Sequence, residues 1–278
     1  MTYSIVARDP GTGELGVAVQ SRAFNTGAVV PWGAPGVGVV ATQSYTEASY
    51  GPLGLDLLRA GKSPEEALAE LVAADDERDY RQVAILDTEG RVAVHVGEAC
   101  IPAAGFAAGD GFSAQANMVD SERVWESMAE SFERSEGPLA DRLLAALDAA
   151  EAAGGDWRGR QAGGILVLAA EGKPWEREVD VRVDDHADPL GELRRLVRMR
   201  HAYRAMRGPP GPSEEDLAAV HELDRTLARI FGATATGQID QARQLLQPLL
   251  ETEPRWADFI RTLADRDLLP HAAELLED

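Results

Sequence analysis

Thr2 stands behind the initiator methionine, and that methionine is generally removed when the residue after it is as small as threonine. A chain beginning at Thr2 carries a hydroxyl nucleophile and an α-amine of reference pKa about 7.7–8.0 on one residue. The amine can take the hydroxyl proton near neutral pH, so nucleophile and base come together without a histidine or lysine. The plainer reading is that most Met-Thr starts have no chemical role. A second candidate is Gly109-Asp110-Gly111-Phe112-Ser113-Ala114-Gln115-Ala116-Asn117-Met118. Its glycines allow close backbone approach, and Ser113, Gln115 and Asn117 alternate at strand spacing, which aims three polar groups at one face. Such donors can form an oxyanion hole; the same pattern also suits a hairpin with a wet face.

The remaining candidates are weaker. Asp184, Asp185, His186 and Asp188 offer four side chains able to ligate a hard cation, but Asp188 before Pro189 is more simply a helix N-cap. The five histidines are scattered, and Cys100 beside Ile101-Pro102 suits a small buried apolar residue. Arg160, just before a strand, can meet a substrate carboxylate or a structural acid. No metal and no cofactor are expected.

The elements that must position these residues follow from periodicity and punctuation. Strands are expected at Thr2 to Arg8 and Glu14 to Gln20 around an Asp-Pro-Gly-Thr-Gly turn, and at Gly36 to Thr42. Ser63-Pro64-Glu65-Glu66 is a capping box that opens an amphipathic helix. A hairpin follows over Gln82–Leu86 and Arg91–Val96, then helices near Ser121–Phe132 and Pro138–Ala152, then strands at Gly163–Ala169 and Val179–Val183. The order β-rich, two helices, β-rich, two helices, β-rich implies an α+β layered domain and not a doubly wound one. From Asp188 a helix runs to about Met206 and packs six arginines, Arg194 to Arg207, into fourteen residues; a solvated, acid-paired face is the simplest account.

Gly208-Pro209-Pro210-Gly211-Pro212 can be neither helix nor strand. It divides the chain into residues 1–207, a linker at 208–212, and a helical segment at 213–278. Helices are expected from Ser213, over Gln238–Leu250 and over Pro254–Ala264, the last two resembling a single tetratricopeptide-type hairpin. From Pro209 onward the chain holds 14 acids against 6 arginines.

Composition excludes several functions. The 278 residues carry 47 Asp+Glu against 27 Lys+Arg, a formal charge of −20. A surface this acidic repels a phosphate backbone or an anionic bilayer, so neither nucleic acid nor membrane is an expected partner. A single cysteine rules out an intrachain disulfide. No stretch is apolar enough to span a membrane and no signal region opens the chain, so a cytoplasmic location is expected. With Lys62 and Lys173 the only lysines, a mechanism needing a catalytic lysine is hard to place.

Thr2-Tyr3-Ser4-Ile5-Val6, the returning Gly16-Val17-Ala18-Val19-Gln20, and Ser21-Arg22-Ala23 resemble the opening of N-terminal nucleophile hydrolases. In proteasome β subunits an aspartate stands where this chain has Gln20, and their catalytic lysine has no counterpart before Lys62. From Thr2 to about Val197 the chain resembles the prokaryotic family catalogued as domain of unknown function 1028. The resemblance runs through Thr2–Asp9, Gly16–Arg22, Pro31–Gly38, Ala41–Gln43, Tyr50–Pro52, Gly109–Gly111, Gln115–Met118, Gly159–Gln161 and Arg182–His186.

That resemblance implies an N-terminal nucleophile-type four-layer αββα sandwich, followed here by a small all-α domain. Residues 212–278 resemble an extension labelled a putative peptidoglycan-binding domain in some members; an acidic helical tail fits an oligomerisation module better. The expected function is an amidohydrolase acting on a small amide, N-acyl or N-carbamoyl compound. Thr2 would attack, Ser113 or Asn117 would hold the oxyanion, and Arg22, Gln43, Gln115 and Arg160 would bind substrate. The expected assembly is a homo-oligomer, a dimer. The alternative is a non-catalytic small-ligand-binding or assembly protein on the same fold.

Overall fold

The computed structural model describes residues 2–206 and 211–277. Met1, Arg207 to Pro210 of the Gly/Pro linker, and Asp278 lie outside the described residues. The chain forms two compact units, 1–197 and 198–278.

The first unit is built on two antiparallel sheets. Its elements in order are β1 (Thr2–Arg8), β2 (Leu15–Ser21), α1 (Thr26–Val29), β3 (Pro31–Ala34), β4 (Gly38–Ser44), α2 (Tyr50–Arg59) and α3 (Pro64–Ala74). There follow β5 (Arg81–Asp87), β6 (Val92–Val96), β7 (Gly105–Gly109), β8 (Phe112–Asn117), α4 (Arg123–Arg134), α5 (Leu139–Ala152), β9 (Ala162–Leu168), β10 (Val179–Val183) and α6 (Pro189–Ala205). One sheet has the order β10-β9-β2-β1-β8-β7, the other β3-β4-β5-β6. Alternation along each strand divides the core. Tyr3, Ile5, Ala18, Ala114 and Ile165 pack beneath α4, α5 and the start of α6. Val6, Val17, Val19 and Leu166 face Val39, Ala41, Ala84 and Leu86 of the second sheet. The outer face of that sheet, Val40, Val83 and Ile85, is covered by Tyr50, Leu55, Ala67 and Leu68 of α2 and α3.

Most expected strands and helices appear with ends moved by one to three residues, and several elements of this unit were not expected, among them β3 and α2. Pro31 and Pro35 read as punctuation, yet Pro31 opens β3, an edge strand, where the missing N–H faces no partner. α2 holds Gly51, Pro52 and Gly54, which look like turn residues. Pro52 sits in the first turn, where its lost donor costs nothing. Gly51 is there because of close packing: a Cβ on it would stand 2.2–2.4 Å from the Trp32 ring. The capping box at Ser63 and Glu66 forms as the sequence implies.

The second unit takes in the end of α6, then α7 (Glu214–Ala218), α8 (Glu222–Ala235), α9 (Ile239–Thr252) and α10 (Trp256–Asp265). Ile230, Ala242, Leu246 and Ile260 form its core, and Ala202 of α6 packs with Leu217 and Val220. α8, with Gly232 in its last turn, had no clear sequence signal. Among the described residues, no helix is long and apolar enough to cross a membrane.

Candidate active site

Thr2 opens β1, a central strand, and its side chain points between the sheets. The register sets it opposite Ser21 of β2 on one side and Asn117 of β8 on the other. Its hydroxyl donates to Ser21 Oγ at 3.1 Å, and Ser21 Oγ also accepts the Ala23 N–H at 3.1 Å. Thr2 is 7% exposed. The motif around Ser21 was legible in the sequence, but only the fold shows that Ser21 adjoins Thr2.

Beneath Thr2 lies a chain of uncharged polar groups joining the sheets. Ser113 donates to Gln115 Oε1 (3.2 Å), Gln115 to Ser4 Oγ (2.7 Å), and Ser4 to Gln43 Oε1 (2.6 Å). Gln43 Nε2 donates to Gln82 Oε1 at 2.7 Å and lies 3.4 Å from the Thr2 carbonyl oxygen; Asn117 Nδ2 reaches the same Gln82 oxygen at 2.9 Å. Gln82 completes the chain by donating to the Ala116 and Gly105 carbonyls. Buried amides and hydroxyls are tolerated in a core when they satisfy one another, as these do.

The expected site residues therefore separate. Asn117 is brought to Thr2. Ser113 is not: it pairs with Val6, four residues along β1, or about 13 Å at strand rise. Ser113 thus stands apart from Thr2 along the sheet. Gln43 and Gln115 are fully buried and hydrogen-bonded within the network that joins the strands carrying Thr2 and Asn117. Arg22 is exposed next to Ser21. Its guanidinium bonds Gln161 Oε1, and among the described residues no carboxylate pairs with it. Arg160 is bound within the protein, to Glu151 at 3.4 Å and Asp188 at 3.6 Å.

Residues not expected from sequence frame this end. Asp156 has a fully buried carboxylate that accepts the Arg22 N–H at 2.8 Å and pairs with Arg158 at 3.1 Å. It ties the segment before β9 to the segment after β2. Arg81, 4% exposed, is held by Asp75 and Glu77 and donates to the Tyr45 carbonyl. The hydrogen bond that Arg81 donates to Asp75 holds the Asp75 carboxyl below its ordinary range. Asn25, Ser44 and Met118, which follow β2, end β4 and follow β8, have φ values of 61°, 74° and 58°. Left-handed non-glycine backbone is costly and gathers at functional sites. Phe24, Tyr45, Ile101 and Trp157, large and exposed, project from the segments leaving the same end.

The opposite face of β1 is also polar near Thr2. The Tyr3 hydroxyl donates to Glu151 Oε2 at 2.7 Å, and burial, then the Glu151 charge, push the phenol well above its ordinary pKa. Gln20, beside Tyr3 across the strands, is fully buried with both polar ends unpartnered. Asp184, Asp185, His186 and Asp188 do not converge. Asp185 accepts from Gln161, His186 Nδ1 from the Asp188 N–H, and Asp188 from the Gly191 N–H as the N-cap. Among the described residues no group of three or more His, Cys, Asp or Glu can hold a metal ion.

The family model described as "Family of unknown function (DUF1028)" matches residues 2–193. A crystal structure of a Silicibacter pomeroyi protein of that family is similar over 75% of this chain and 90% of its own, with 32% identity and a TM-score of 0.66. Anbu (ancestral beta-subunit) from Yersinia bercovieri covers 69% and 91%, at 12% identity and a TM-score of 0.33. Anbu from Hyphomicrobium sp. strain MC1 covers 80% and 99%, at 14% and 0.34. No curated protein matches the chain.

Proposed function

The chain belongs to DUF1028, a family of unknown function, and on that premise we propose that its first unit is a hydrolase of the N-terminal nucleophile type. It would be a four-layer αββα sandwich that cleaves a small amide, N-acyl or N-carbamoyl compound through Thr2. The observation that carries this reading is the place of Thr2. It is a threonine at the start of a central strand, its hydroxyl aimed between two sheets, with a hydroxyl and a side-chain amide on the flanking strands.

With Met1 removed, the Thr2 α-amine takes the proton of Oγ1 as that oxygen bonds to the substrate carbonyl carbon. The carbonyl π electrons move to oxygen, and Asn117 Nδ2, with one N–H committed to Gln82, offers its second to that oxyanion. Collapse of the tetrahedral species breaks the C–N bond, and the ammonium returns its proton to the departing amine. Water then attacks the Thr2 ester, the amine again acting as base, to release the acid and restore the hydroxyl. Ser21 Oγ keeps the hydroxyl in one rotamer through its 3.1 Å contact. Arg22, exposed and unpaired with any acid among the described residues, suits a substrate carboxylate, and Phe24 and Trp157 offer apolar contact at the same end.

A second reading, a binding protein on the same fold, is favoured by one observation. The side chains bonded to Thr2 and to the network beneath it are all uncharged. Everything ionisable in the mechanism then rests on a free amine. Intact mass of untagged protein, followed by a Thr2→Ala comparison across a panel of N-acyl and N-carbamoyl compounds, separates the two. Loss of one methionine with turnover abolished in the variant supports the hydrolase; retained Met1 removes it. For the second unit we propose self-association into a homodimer, supported by the exposed Leu223, Phe259 and Leu268. An unchanged assembly state after deletion beyond Pro212 would overturn that assignment.

A further inference from the structure

A cleft of about 200 Å³ lies in the first unit away from Thr2, between β3 and α1 on one side and β9 and β10 on the other. Its lining includes Pro31, Trp32, Leu166, Arg177, Asp180 and Arg182. The charges in it do not balance. Arg177 pairs with Asp180 at 3.3 Å, whereas the Arg182 guanidinium makes no hydrogen bond or ion pair with any described residue. In a chain with 47 acids to 27 basic residues, most arginines find a carboxylate, so an unpaired guanidinium in a concave site is unusual. Its position is also built. A Cβ on Gly27 or Gly164 would stand 3.2 Å or 3.5 Å from Arg182 Cγ, so the arginine stem lies against backbone that glycine leaves bare.

The facing wall is equally fixed. Trp32 donates its indole N–H to the Val29 carbonyl at 2.9 Å, and Gly51 packs on its ring. Trp32 is thereby held in place, and it is among the residues that line the cleft. We propose that this cleft is a second ligand site, for a small carboxylate with a planar apolar body. The guanidinium takes the carboxylate in its two-pronged geometry, and the indole with Pro31 and Leu166 takes the body. One uncompensated positive charge matches a monoanion, and a phosphate dianion would also face Asp180. The volume lies below the several hundred Å³ of drug-sized pockets, which limits the ligand to a single ring or its equivalent. This inference does not depend on the Thr2 chemistry.

Benzoate is the probe, titrated calorimetrically into the full chain at low salt, with benzamide, acetate and inorganic phosphate as comparisons. The expected result is benzoate binding at least tenfold tighter than any of the three. Arg182→Gln should weaken it at least tenfold, Arg182→Lys less, and Arg22→Gln not at all. Arg182 is exposed, so its variants leave the core intact. The indole N–H resonance of Trp32, assigned with Trp32→Phe, should shift on binding in the wild type and stay unmoved in Arg182→Gln. Benzoate binding that persists in Arg182→Gln, disappears in Arg22→Gln, or is matched by benzamide or phosphate overturns the proposal. So does no benzoate binding at millimolar concentration.

Discussion

At the scale of single residues, the proposed chemistry depends on one titrating group. The network side chains are hydroxyls and amides, and burial together with Glu151 keeps Tyr3 protonated at any working pH. The rate should therefore follow the α-amine: kcat/KM rises as the amine loses its proton, half-maximal near pH 8, and then levels off. A pH–rate profile on the best amide substrate measures this, and a profile with its midpoint below pH 6 would contradict the amine as base. Thr2→Ser should retain turnover and Thr2→Ala should lose it. Gln20 makes a separate prediction. An amide buried with both ends unpartnered forgoes its hydrogen bonds with water, at a cost of about 1–3 kcal/mol. Gln20→Met should accordingly raise stability by about 1 kcal/mol in urea titration.

Elements meet their site through close contacts and one ion-pair cluster. Gly51 lets α2 approach β3, and Gly51→Ala forces a methyl into the Trp32 ring. Overpacking of this kind costs about 1–3 kcal/mol, which thermal unfolding would show as a lowered Tm. Asp75 leads from α3 toward β5 and holds Arg81, the first residue of β5. Because Arg81 lowers the Asp75 pKa in the folded state, the pair stabilises the protein at pH values above the ordinary carboxylate pKa of about 4. That contribution fades as pH falls through the lowered folded value. Asp75→Asn should cost on the order of 3 kcal/mol at pH 7, since it strands part of a buried guanidinium. The difference from wild type should shrink as the solution is acidified toward pH 3. An equal gap at both pH values would show that the charge is not the cause.

For the whole molecule, the division into two units falls within α6, whose later residues pack in the second unit. Ala202 of α6 joins Leu217 and Val220 there. A fragment of residues 198–278 should therefore unfold cooperatively. One of residues 213–278, which exposes Leu217 and Val220, should be less stable by about 3 kcal/mol at roughly 1.5–3 kcal/mol per buried aliphatic side chain. Matched denaturant titrations of the two fragments check this, and equal midpoints would overturn it. The excess of acids acts at this scale as well, keeping the surface repulsive toward polyanions.

The sequence by itself determined what local chemistry can determine. Alternating apolar residues specified β1 and β10 to the residue, and the Ser63 box specified the start of α3, because strand period and helix capping act within a few residues. It also singled out Thr2, and it marked Ser113, Gln115 and Asn117 as sharing a face. Tertiary structure alone decided which of these meet Thr2. Register, set by long-range pairing, brought Asn117 and Ser21 to it and carried Ser113 some four residues away. Packing of the second sheet, which no local pattern encodes, placed Gln43 and Gln115 in one buried network. The same long-range packing made a helix of the turn-like residues at Gly51, Pro52 and Gly54, since only the Trp32 ring explains why glycine is needed there.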